Sequence, residues 1–402
     1  MKVVVGMSGG VDSSVTAYLL KEQGYEVEGL SFILYEARLR NTFSGCCSIE
    51  SIKDAGRTAE RIGVSHTTMD LREEFMVQVI EPFIDAYAKG VTPNPCILCN
   101  RHIKFPYLLK YADERNAGFI ATGHYARVVG ANLRVRPSSG QAQGPAPTIL
   151  KKGIDPKKDQ SYVLYVLRPG ELSRLILPLG EKRKDEVREI ARMLDLPAAK
   201  RPESQEICFV DDKNYCRFID KLLPEERGPG PLIHVDSGMV VGTHKGIHSY
   251  TIGQRKGLGI SSPEPLYVVK IDTAGNTVYV GPKDAARNRD FIVEEVNWLN
   301  PPQSPLWNHN SPYPPLSLRG GAEGGGVISG GKGGPGSFRA SVKVRSMMKD
   351  EPATLSVMQD ERVCVVYDEP QWAPAPGQSA VFYDGDAVIG GGVISNLKGT
   401  TP

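Results

Sequence analysis

Residues 3–14 read VVVGMSGGVDSS, and this stretch predicts how the fold begins. The β-branched run predicts a strand that ends at Gly6, and apolar residues at helical spacing after residue 14 predict a helix that ends at Gly24. A strand, a glycine-rich turn and a helix in this order aim successive backbone N–H groups at one point beside the positive end of the helix dipole. The stretch therefore predicts a phosphate-binding turn, although it is neither a Walker A loop nor a complete GxGxxG motif.

The side chains of this turn suit an anion, with one exception. Gly9 and Gly10 allow the backbone to approach an anion closely, and the hydroxyls of Ser8 and Ser13 can donate hydrogen bonds. The carboxylate of Asp12 would repel a phosphate unless it holds Mg²⁺ or caps the helix. A plain strand-to-helix turn capped by Asp12 is the alternative that needs no ligand.

Strand and helix patterns alternate through the first half of the chain. The predicted strands are 25–32, 67–71 and 119–122, and the predicted helices are 48–63, 73–89, 103–115 and 181–194. Alternation of this kind is typical of α/β proteins. We therefore expect an α/β fold whose first domain has a doubly wound parallel sheet.

The pattern changes after about residue 204 to short strands between Gly, Pro and Asp residues. The dipeptide Asp384-Gly385 lies between two apolar runs, which is typical of a tight hairpin turn. This half is predicted to hold a small central domain and a C-terminal all-β barrel. The expected domains are 1–203, 204–284 and 285–402, the last with a Gly- and Pro-rich insertion at 301–337.

The composition excludes several classes of protein. The 402 residues include 48 Lys and Arg against 46 Asp and Glu, so a formal net charge of +2 provides no overall field for nucleic acid. A hydrophobic content of 40% with 23% charged residues excludes wholesale disorder. No apolar run reaches the ~20 residues that cross a bilayer, and the N-terminus lacks the pattern of a signal peptide. We expect a cytoplasmic protein with no membrane partner.

Seven cysteines lie at positions 46, 47, 96, 99, 208, 216 and 364. An odd number of thiols in a chain without a signal peptide does not predict a disulfide framework. Cys96 and Cys99 stand out because they lie in residues 92–100, TPNPCILCN, whose prolines predict a loop. The vicinal pair 46–47, Cys216 and Cys364 are expected to be structural.

The glycine-rich turn, SGGVDS at 8–13, resembles the pyrophosphate loop of the N-type ATP pyrophosphatases, the PP-loop superfamily. Further segments, in collinear order, resemble the tRNA-specific 2-thiouridylases. They are TPNPCILCN (92–100) with KF (104–105), ATGHY (121–125), KDQSY (158–162), EICF (206–209), HSYTIGQRKGLG (248–259) and PGQSAVFY (376–383). The resemblance covers nearly the whole chain apart from the Gly- and Pro-rich insertion.

This resemblance implies ATP-dependent insertion of sulfur at C2 of the wobble uridine, position 34, of certain tRNAs. Adenylation of the uracil O2 creates a leaving group, which a sulfur carried on a cysteine then replaces. By resemblance, Cys208 carries the incoming persulfide, and Cys99 resolves it through a transient disulfide. The implied cofactors are ATP and Mg²⁺. The implied partners are the anticodon arm of tRNA and a sulfur-donor protein, such as a sulfur relay or a cysteine desulfurase.

The resemblance also assigns binding residues. Those for the nucleotide are Gly6, Met7, Ser8, Gly9, Gly10, Val11, Asp12 and Ser13 around the phosphates, Phe32 beside the adenine and Gly123 at a close approach, with Asp12 also counted as catalytic. Those for tRNA are Asn94, Pro95 and Cys96 around a flipped uridine, with Tyr125, Lys158, Asp159, Gln160, Arg345, Ser346 and Gln378 elsewhere. Flipping is expected because the base must leave the loop stack before an enzyme can react with it.

Cys96 departs from the family pattern, because many relatives carry Asp at this position. With Cys99 it forms a Cys-x-x-Cys, and Cys208 would complete three thiolates that could hold a [4Fe–4S] cluster with one open iron. The open iron could deliver sulfide, so a persulfide route and a cluster route both stay open. The Cys-x-x-Cys alone suits zinc or a redox pair equally well.

Two other classes of protein share part of this pattern. An ATP-dependent amide-forming ligase would use the same glycine-rich turn but would leave the cysteines of residues 92–100 without a role. A non-enzymatic tRNA-binding or iron–sulfur protein would leave the turn itself without a role. Release of pyrophosphate with and without tRNA distinguishes these classes.

Overall fold

The computed structural model describes residues 1–35, 49–130, 148–200, 207–210, 215–220, 222, 228–300 and 337–395. The vicinal cysteines at 46 and 47 and nearly all of the Gly- and Pro-rich insertion, residues 301–336, lie outside the described residues. The chain divides into two units. The first is Met1–Lys89 with Pro93–Gly228, and the second is Gly90–Thr92 with Pro229–Pro402.

The sheet of the first unit is parallel. The strands of this unit, in its described part, are β1 (Lys2–Gly6), β2 (Glu26–Ile33), β3 (Ser65–Asp70), β4 (Phe119–Ala121), β5 (Ala126–Val129), β6 (Ile149–Lys152) and β7 (Leu175–Ile176). Five of them pair in parallel in the order β3-β2-β1-β4-β7, whereas β5 and β6 form an antiparallel hairpin. The prediction of a doubly wound parallel sheet is confirmed.

The helices of the first unit connect these strands. In the described residues they are α1 (Val11–Glu22), α2 (Ile49–Ile62), α3 (Arg72–Phe75), α4 (Glu81–Ala88), α5 (Pro95–Cys99), α6 (Phe105–Glu114), α7 (Pro169–Leu172), α8 (Lys184–Met193) and α9 (Tyr215–Asp220). Two π-helical turns, Met76–Ile80 and Asn100–Lys104, join α3 to α4 and α5 to α6. Among the residues that the structure describes, no helix has the length and apolar character needed to cross a membrane.

Cys96 and Cys99 lie on a helix, so the prediction of a loop for this segment was wrong. The side-chain oxygen of Asn94 accepts a hydrogen bond from the N–H of Ile97 at 3.4 Å and caps α5. Pro95 occupies the first turn, where the missing N–H of proline would have no partner in any case. Pro95 of TPNPC therefore begins a helix and does not prevent one.

The order of the strands places a potential ligand-binding edge of the sheet at the carboxyl end of β1. Val3, Val4 and Val5 have no exposed surface, as expected for a strand that is covered on both faces. Val3 and Val5 pack with residues of α1 and α2, whereas Gly6 lies against Leu108 of α6. The carboxyl ends of β1 and β4 meet where the strand order reverses, which is where doubly wound sheets bind ligands.

The second unit is built from β-strands. They are β8 (Gly230–His234), β9 (Val240–His244), β10 (Tyr267–Asp272), β11 (Thr277–Gly281), β12 (Arg287–Trp298), β13 (Ser337–Lys343), β14 (Glu351–Val357), β15 (Val363–Trp372), β16 (Ser379–Asp384) and β17 (Ala387–Ile394). One sheet has the order β10-β11-β8-β9. The other runs β12-β15-β14-β13-β16-β17 and closes by pairing β17 with β12, so the predicted C-terminal barrel is confirmed.

The last hairpin turns one residue later than the sequence pattern suggests. Asp384 pairs with Ala387, so the two-residue loop consists of Gly385 and Asp386. Gly385 has a φ of 59°, a conformation that glycine adopts without strain. Asp384 therefore remains in β16, and the glycine takes the first position of the loop.

Candidate functional site

The turn after β1 meets the turn after β4 at the carboxyl edge of the sheet. Gly9 has a φ of 73°, and a Cβ at this position would overlap the carbonyl oxygen of Ser51. A Cβ on Gly123, which follows β4, would lie 2.8 Å from the carbonyl carbon of Asp12. Real Cβ atoms do not come this close to backbone, so both positions require glycine for the two turns to pack.

The hydroxyls of the glycine-rich turn stabilise the turn itself. The N–H of Ser8 donates to Oγ of Ser13 at 3.1 Å, and this Oγ in turn donates to the carbonyl oxygen of Gly10 at 3.2 Å. Gly10 is the N-cap of α1 and provides no side-chain cap. Asp12 lies inside the first turn of the helix, so capping is not the role of its carboxylate.

Asp12 is held by two side chains that come from distant parts of the chain. Nζ of Lys184, in the first turn of α8, lies 2.7 and 2.8 Å from the two carboxylate oxygens, and the hydroxyl of Tyr125 donates to Oδ1 at 2.7 Å. The Lys184 side chain is 8% exposed and that of Asp12 is 35% exposed. No local motif in the sequence indicates Lys184, because its partner lies in a turn 172 positions earlier.

Hydrogen bonds extend from Tyr125 to the loop that precedes the 3₁₀ turn Ser161–Leu164. The N–H of Tyr125 donates to the side-chain oxygen of Gln160, whose own N–H donates to the carbonyl oxygen of Tyr125. Asp159 accepts from the N–H of Gly153 and from both the N–H and the hydroxyl of Ser161. Tyr125, Asp159 and Gln160 therefore connect segments of the first unit.

The same 3₁₀ turn contacts the segment that carries the Cys-x-x-Cys. The side-chain amide of Asn100, the residue after Cys99, donates to the carbonyl oxygen of Val163 at 2.8 Å. Cys99 is buried, whereas Cys96 on the same helix is exposed. A continuous series of bonds thus connects the carboxylate of Asp12 with the backbone next to Cys99, and we call it the Asp12–Asn100 path.

Cys208 is half-buried and precedes an aromatic anchor. The ring of Phe209 packs against Phe75, Phe83 and Phe218 at centroid distances of 5.7, 5.3 and 5.3 Å. Helix α5, which carries Cys99, packs against the π-helical turn between α3 and α4. The helix that carries Cys99 and the residue that follows Cys208 therefore both pack on the segment from α3 to α4.

We expect Phe209→Ala to release Cys208 from this position. Truncation of a buried phenylalanine costs about 3–5 kcal/mol, and here the loss falls on a short segment that the ring holds in place. Alkylation of Cys208 by iodoacetamide, followed by mass spectrometry of the Cys208 peptide, should become at least about 10-fold faster. Phe338→Ala in β13 of the second unit is the control. An unchanged alkylation rate in Phe209→Ala would contradict the anchoring role.

His124 is a structural residue of the turn after β4. Its Nδ1 shares a 2.7 Å hydrogen bond with the hydroxyl of Thr122, and its ring stacks on Phe105 at 5.9 Å. Desolvation of the ring, together with the nearby positive charge of Lys104, holds the pKa of His124 well below its usual value of 6.5. The imidazole is therefore neutral in the folded protein at neutral pH.

Acid should destabilise the first unit through His124. Below about pH 6.5 His124 is protonated in the unfolded chain but stays neutral in the folded chain. The contribution of His124 to the free energy of unfolding is therefore complete above that pH, and it is lost as the pH falls towards the pKa of the folded state. Between about pH 7.5 and 5.5, urea unfolding followed by circular dichroism should show wild type losing about 1 kcal/mol more than His124→Gln. Equal losses would show that this histidine does not titrate differently on folding.

The remaining predicted residues divide between the two units. In the first, Phe32 is buried on β2, Lys158 is half-buried, and Asn94 and Pro95 form the start of α5. In the second, the guanidinium of Arg345 donates to the carbonyl oxygens of Ile252 and Ala373, Gln378 donates to that of Thr92, and Ser346 is half-buried. Their binding roles stay predictions.

A metal centre is not found among the residues that the structure describes. No group of three or more His, Cys, Asp or Glu side chains in those ranges is placed to hold a metal ion. Cys96, Cys99 and Cys208, all of them described, accordingly do not form such a group. The arrangement of these thiols does not fit a [4Fe–4S] cluster.

Three family models match successive parts of the chain. They are described as the tRNA methyl transferase HUP domain at residues 1–212, the tRNA methyl transferase PRC-barrel domain at 216–282 and the aminomethyltransferase β-barrel domain at 331–394. A curated tRNA-specific 2-thiouridylase, MnmA 2 of Caldanaerobacter subterraneus subsp. tengcongensis, is 42% identical over 98% of this chain and 97% of its own. The MnmA of Halothermothrix orenii is 42% identical over 98% of both chains.

The chain belongs to the tRNA-specific 2-thiouridylase family. It is therefore an enzyme, a sulfurtransferase with a PP-loop domain. A solved 4-thiouridine synthetase–RNA complex with bound ATP is 16% identical, with a TM-score of 0.34, over 56% of this chain and 50% of that one. The matches to the family models and to the curated relatives extend over both units.

Proposed function

We propose that this enzyme uses ATP to replace O2 of the wobble uridine, position 34, of certain tRNAs with sulfur. The observation that carries the proposal is the Asp12–Asn100 path, which connects a phosphate-binding turn to the backbone of a buried cysteine within one unit. A nucleotide site and a cysteine-bearing helix that are connected within one unit suit a reaction in which ATP activates an oxygen of the substrate and cysteine chemistry then replaces that oxygen with sulfur. The names of the curated relatives support the same reaction.

The nucleotide is ATP, and its phosphates bind at the N-terminus of α1. By helix geometry the first N–H groups of α1 lack partners within the helix and suit an anion at this point, and the absence of a side chain at Gly9 and Gly123 lets the two turns pack together. Asp12 would be the residue to hold Mg²⁺ here, through the exposed part of a carboxylate that also pairs with Lys184. When bound, Mg²⁺ would neutralise phosphate charge. Phe32 provides an apolar contact for the adenine.

Sulfur transfer uses two cysteines, which act one after the other. Uracil O2 attacks the α-phosphorus of ATP and releases pyrophosphate. The terminal sulfur of a persulfide on Cys208 then attacks C2, and AMP leaves with the former O2. The thiolate of Cys99 attacks Sγ of Cys208, which forms the Cys99–Cys208 disulfide and releases 2-thiouridine. A cellular dithiol reductant supplies the two electrons that restore both thiols.

The remaining assignments belong to the same proposal. Asn94, Pro95 and Cys96 surround the flipped uridine, and the anticodon arm contacts Lys158, Asp159, Gln160, Arg345, Ser346 and Gln378. Tyr125, which is buried and bonded to Asp12, orients that carboxylate in place of contacting tRNA. A sulfur-donor protein, such as a sulfur relay or a cysteine desulfurase, loads Cys208. The enzyme acts in the cytoplasm, and its working domains are 1–203, 204–284 and 285–402.

The test supplies the enzyme with unmodified tRNA, ATP, and a cysteine desulfurase with cysteine as the sulfur source. We expect pyrophosphate release that depends on tRNA, and 2-thiouridine in the digested tRNA by mass spectrometry. The matched control is the same tRNA transcript with cytidine at position 34. Pyrophosphate release driven by glutamine and a carboxylate substrate without tRNA would favour an amide ligase. Base methylation from a methyl donor would also overturn the proposal.

The sulfur route is tested separately in iron-free protein. Full activity in such protein, and in its Cys96→Asp variant, would support the persulfide, because the variant has only two of the three thiolates. A brown anaerobic preparation whose activity needs iron would replace the persulfide with the cluster. The family assignment would stand in either case.

A further inference from the structure

Asp12 places a negative charge at a site built for anions. It lies in the first turn of α1, where the backbone N–H groups and the helix dipole attract phosphate. Two like charges a few ångströms apart repel strongly at the effective dielectric of a protein surface. A bare carboxylate would therefore cancel much of the attraction that the turn provides for a triphosphate.

Lys184 is the cation that faces this carboxylate. Its Nζ contacts both oxygens, at 2.7 and 2.8 Å, and lies 5.6 Å from the ring centroid of Tyr125, whose hydroxyl also binds Asp12. The lysine side chain is buried, whereas the carboxylate that it contacts is more exposed. The ammonium therefore acts on the ligand side of the turn through Asp12.

We propose that Lys184 is a positioning residue for the nucleotide, and that it acts by compensating the charge of Asp12 and fixing its carboxylate. The proposal rests on the proposed use of ATP and adds a residue to that site. With Lys184 in place, Asp12 is a neutralised, oriented oxygen ligand. Without it, Asp12 is a repulsive charge at the phosphate subsite.

Binding of α,β-methylene-ATP without tRNA, measured by calorimetry at low Mg²⁺, tests this role. We expect Lys184→Met to weaken binding about 10- to 100-fold, since an unpaired carboxylate remains, and Lys184→Arg to stay within about threefold of wild type. In the double variant Asp12→Asn with Lys184→Met, the loss relative to Asp12→Asn should be less than about threefold, because no charge is left to compensate.

Arg192→Met removes an exposed cation from the last turn of the same helix and is the matched control, with binding unchanged. If Lys184→Met unfolds at too low a temperature for the binding measurement, Lys184→Gln repeats the test with another uncharged side chain. Wild-type affinity in both Lys184→Met and Lys184→Gln would overturn the proposal. So would a double variant as weak as Lys184→Met, because Lys184 would then act independently of Asp12. A wild-type protein that does not bind the analogue would instead overturn the use of ATP.

Discussion

We expect Cys208→Ser to abolish 2-thiouridine formation, to below about 0.1% of wild type, while tRNA binding stays nearly intact. A serine hydroxyl cannot carry a transferable sulfur, and no other described thiol is anchored at this position by Phe209. Pyrophosphate release in a single turnover should persist, because activation of the uridine precedes the sulfur step. Cys99→Ser should also prevent 2-thiouridine release, but it should leave the tRNA joined to Cys208.

The chain offers matched controls for this experiment. Cys216, on α9, and Cys364, on β15, are half-buried thiols outside the proposed chemistry. Serine at either position should leave thiolation within about twofold of wild type. Mass spectrometry of the digested tRNA gives the readout. More than a few per cent of wild-type 2-thiouridine from Cys208→Ser would remove Cys208 from the mechanism.

The second large effect is expected from Gly123→Ala. The added Cβ would lie 2.8 Å from the carbonyl carbon of Asp12 and 2.9 Å from the backbone nitrogen of Ser13. Because backbone cannot rotate away as a flexible side chain can, the start of α1 must shift. Overpacking of this kind costs about 1–3 kcal/mol. If the free energy of nucleotide binding is reduced by that amount, the affinity for the nucleotide falls about 5- to 150-fold.

Gly118→Ala is the matched control. It lies just before β4, and a Cβ there would meet no atom within 4 Å. Calorimetry with α,β-methylene-ATP should show near wild-type affinity for Gly118→Ala and the loss for Gly123→Ala. Equal affinity in the two variants would show that the turn after β4 does not shape the phosphate site.

Local patterns predicted the architecture well. The run of valines, the glycine-rich turn and the following helix are all contiguous, and the alternation of strands with helices indicated the parallel sheet. The course of residues 95–100 was predicted wrongly, because Pro95 was taken as a breaker where Asn94 and Pro95 form a helix start. The relevant signal, an N-cap residue followed by proline, was present in the sequence.

The ion pair at the site could not be predicted in the same way. Asp12 contacts Tyr125 and Lys184 across 113 and 172 positions, and such contacts depend on how the whole sheet and its helices pack. The glycine at position 123 was assigned by family resemblance to a close approach of the nucleotide. The structure shows in addition that its lack of a side chain lets two backbone segments meet.

An adenylated uracil is a reactive species that water destroys, and each molecule lost this way consumes an ATP without product. Under the proposed mechanism, the Asp12–Asn100 path, which runs through Tyr125, Gln160 and Asn100, fixes the activation site relative to the helix of Cys99, and that helix and the ring of Phe209 beside Cys208 pack on the same segment from α3 to α4. A fixed spacing would shorten the lifetime of the adenylated intermediate, because the persulfide on Cys208 would already lie near the activated base. A variant that breaks the Asp12–Asn100 path should therefore first show itself in a higher ratio of ATP consumed to tRNA thiolated.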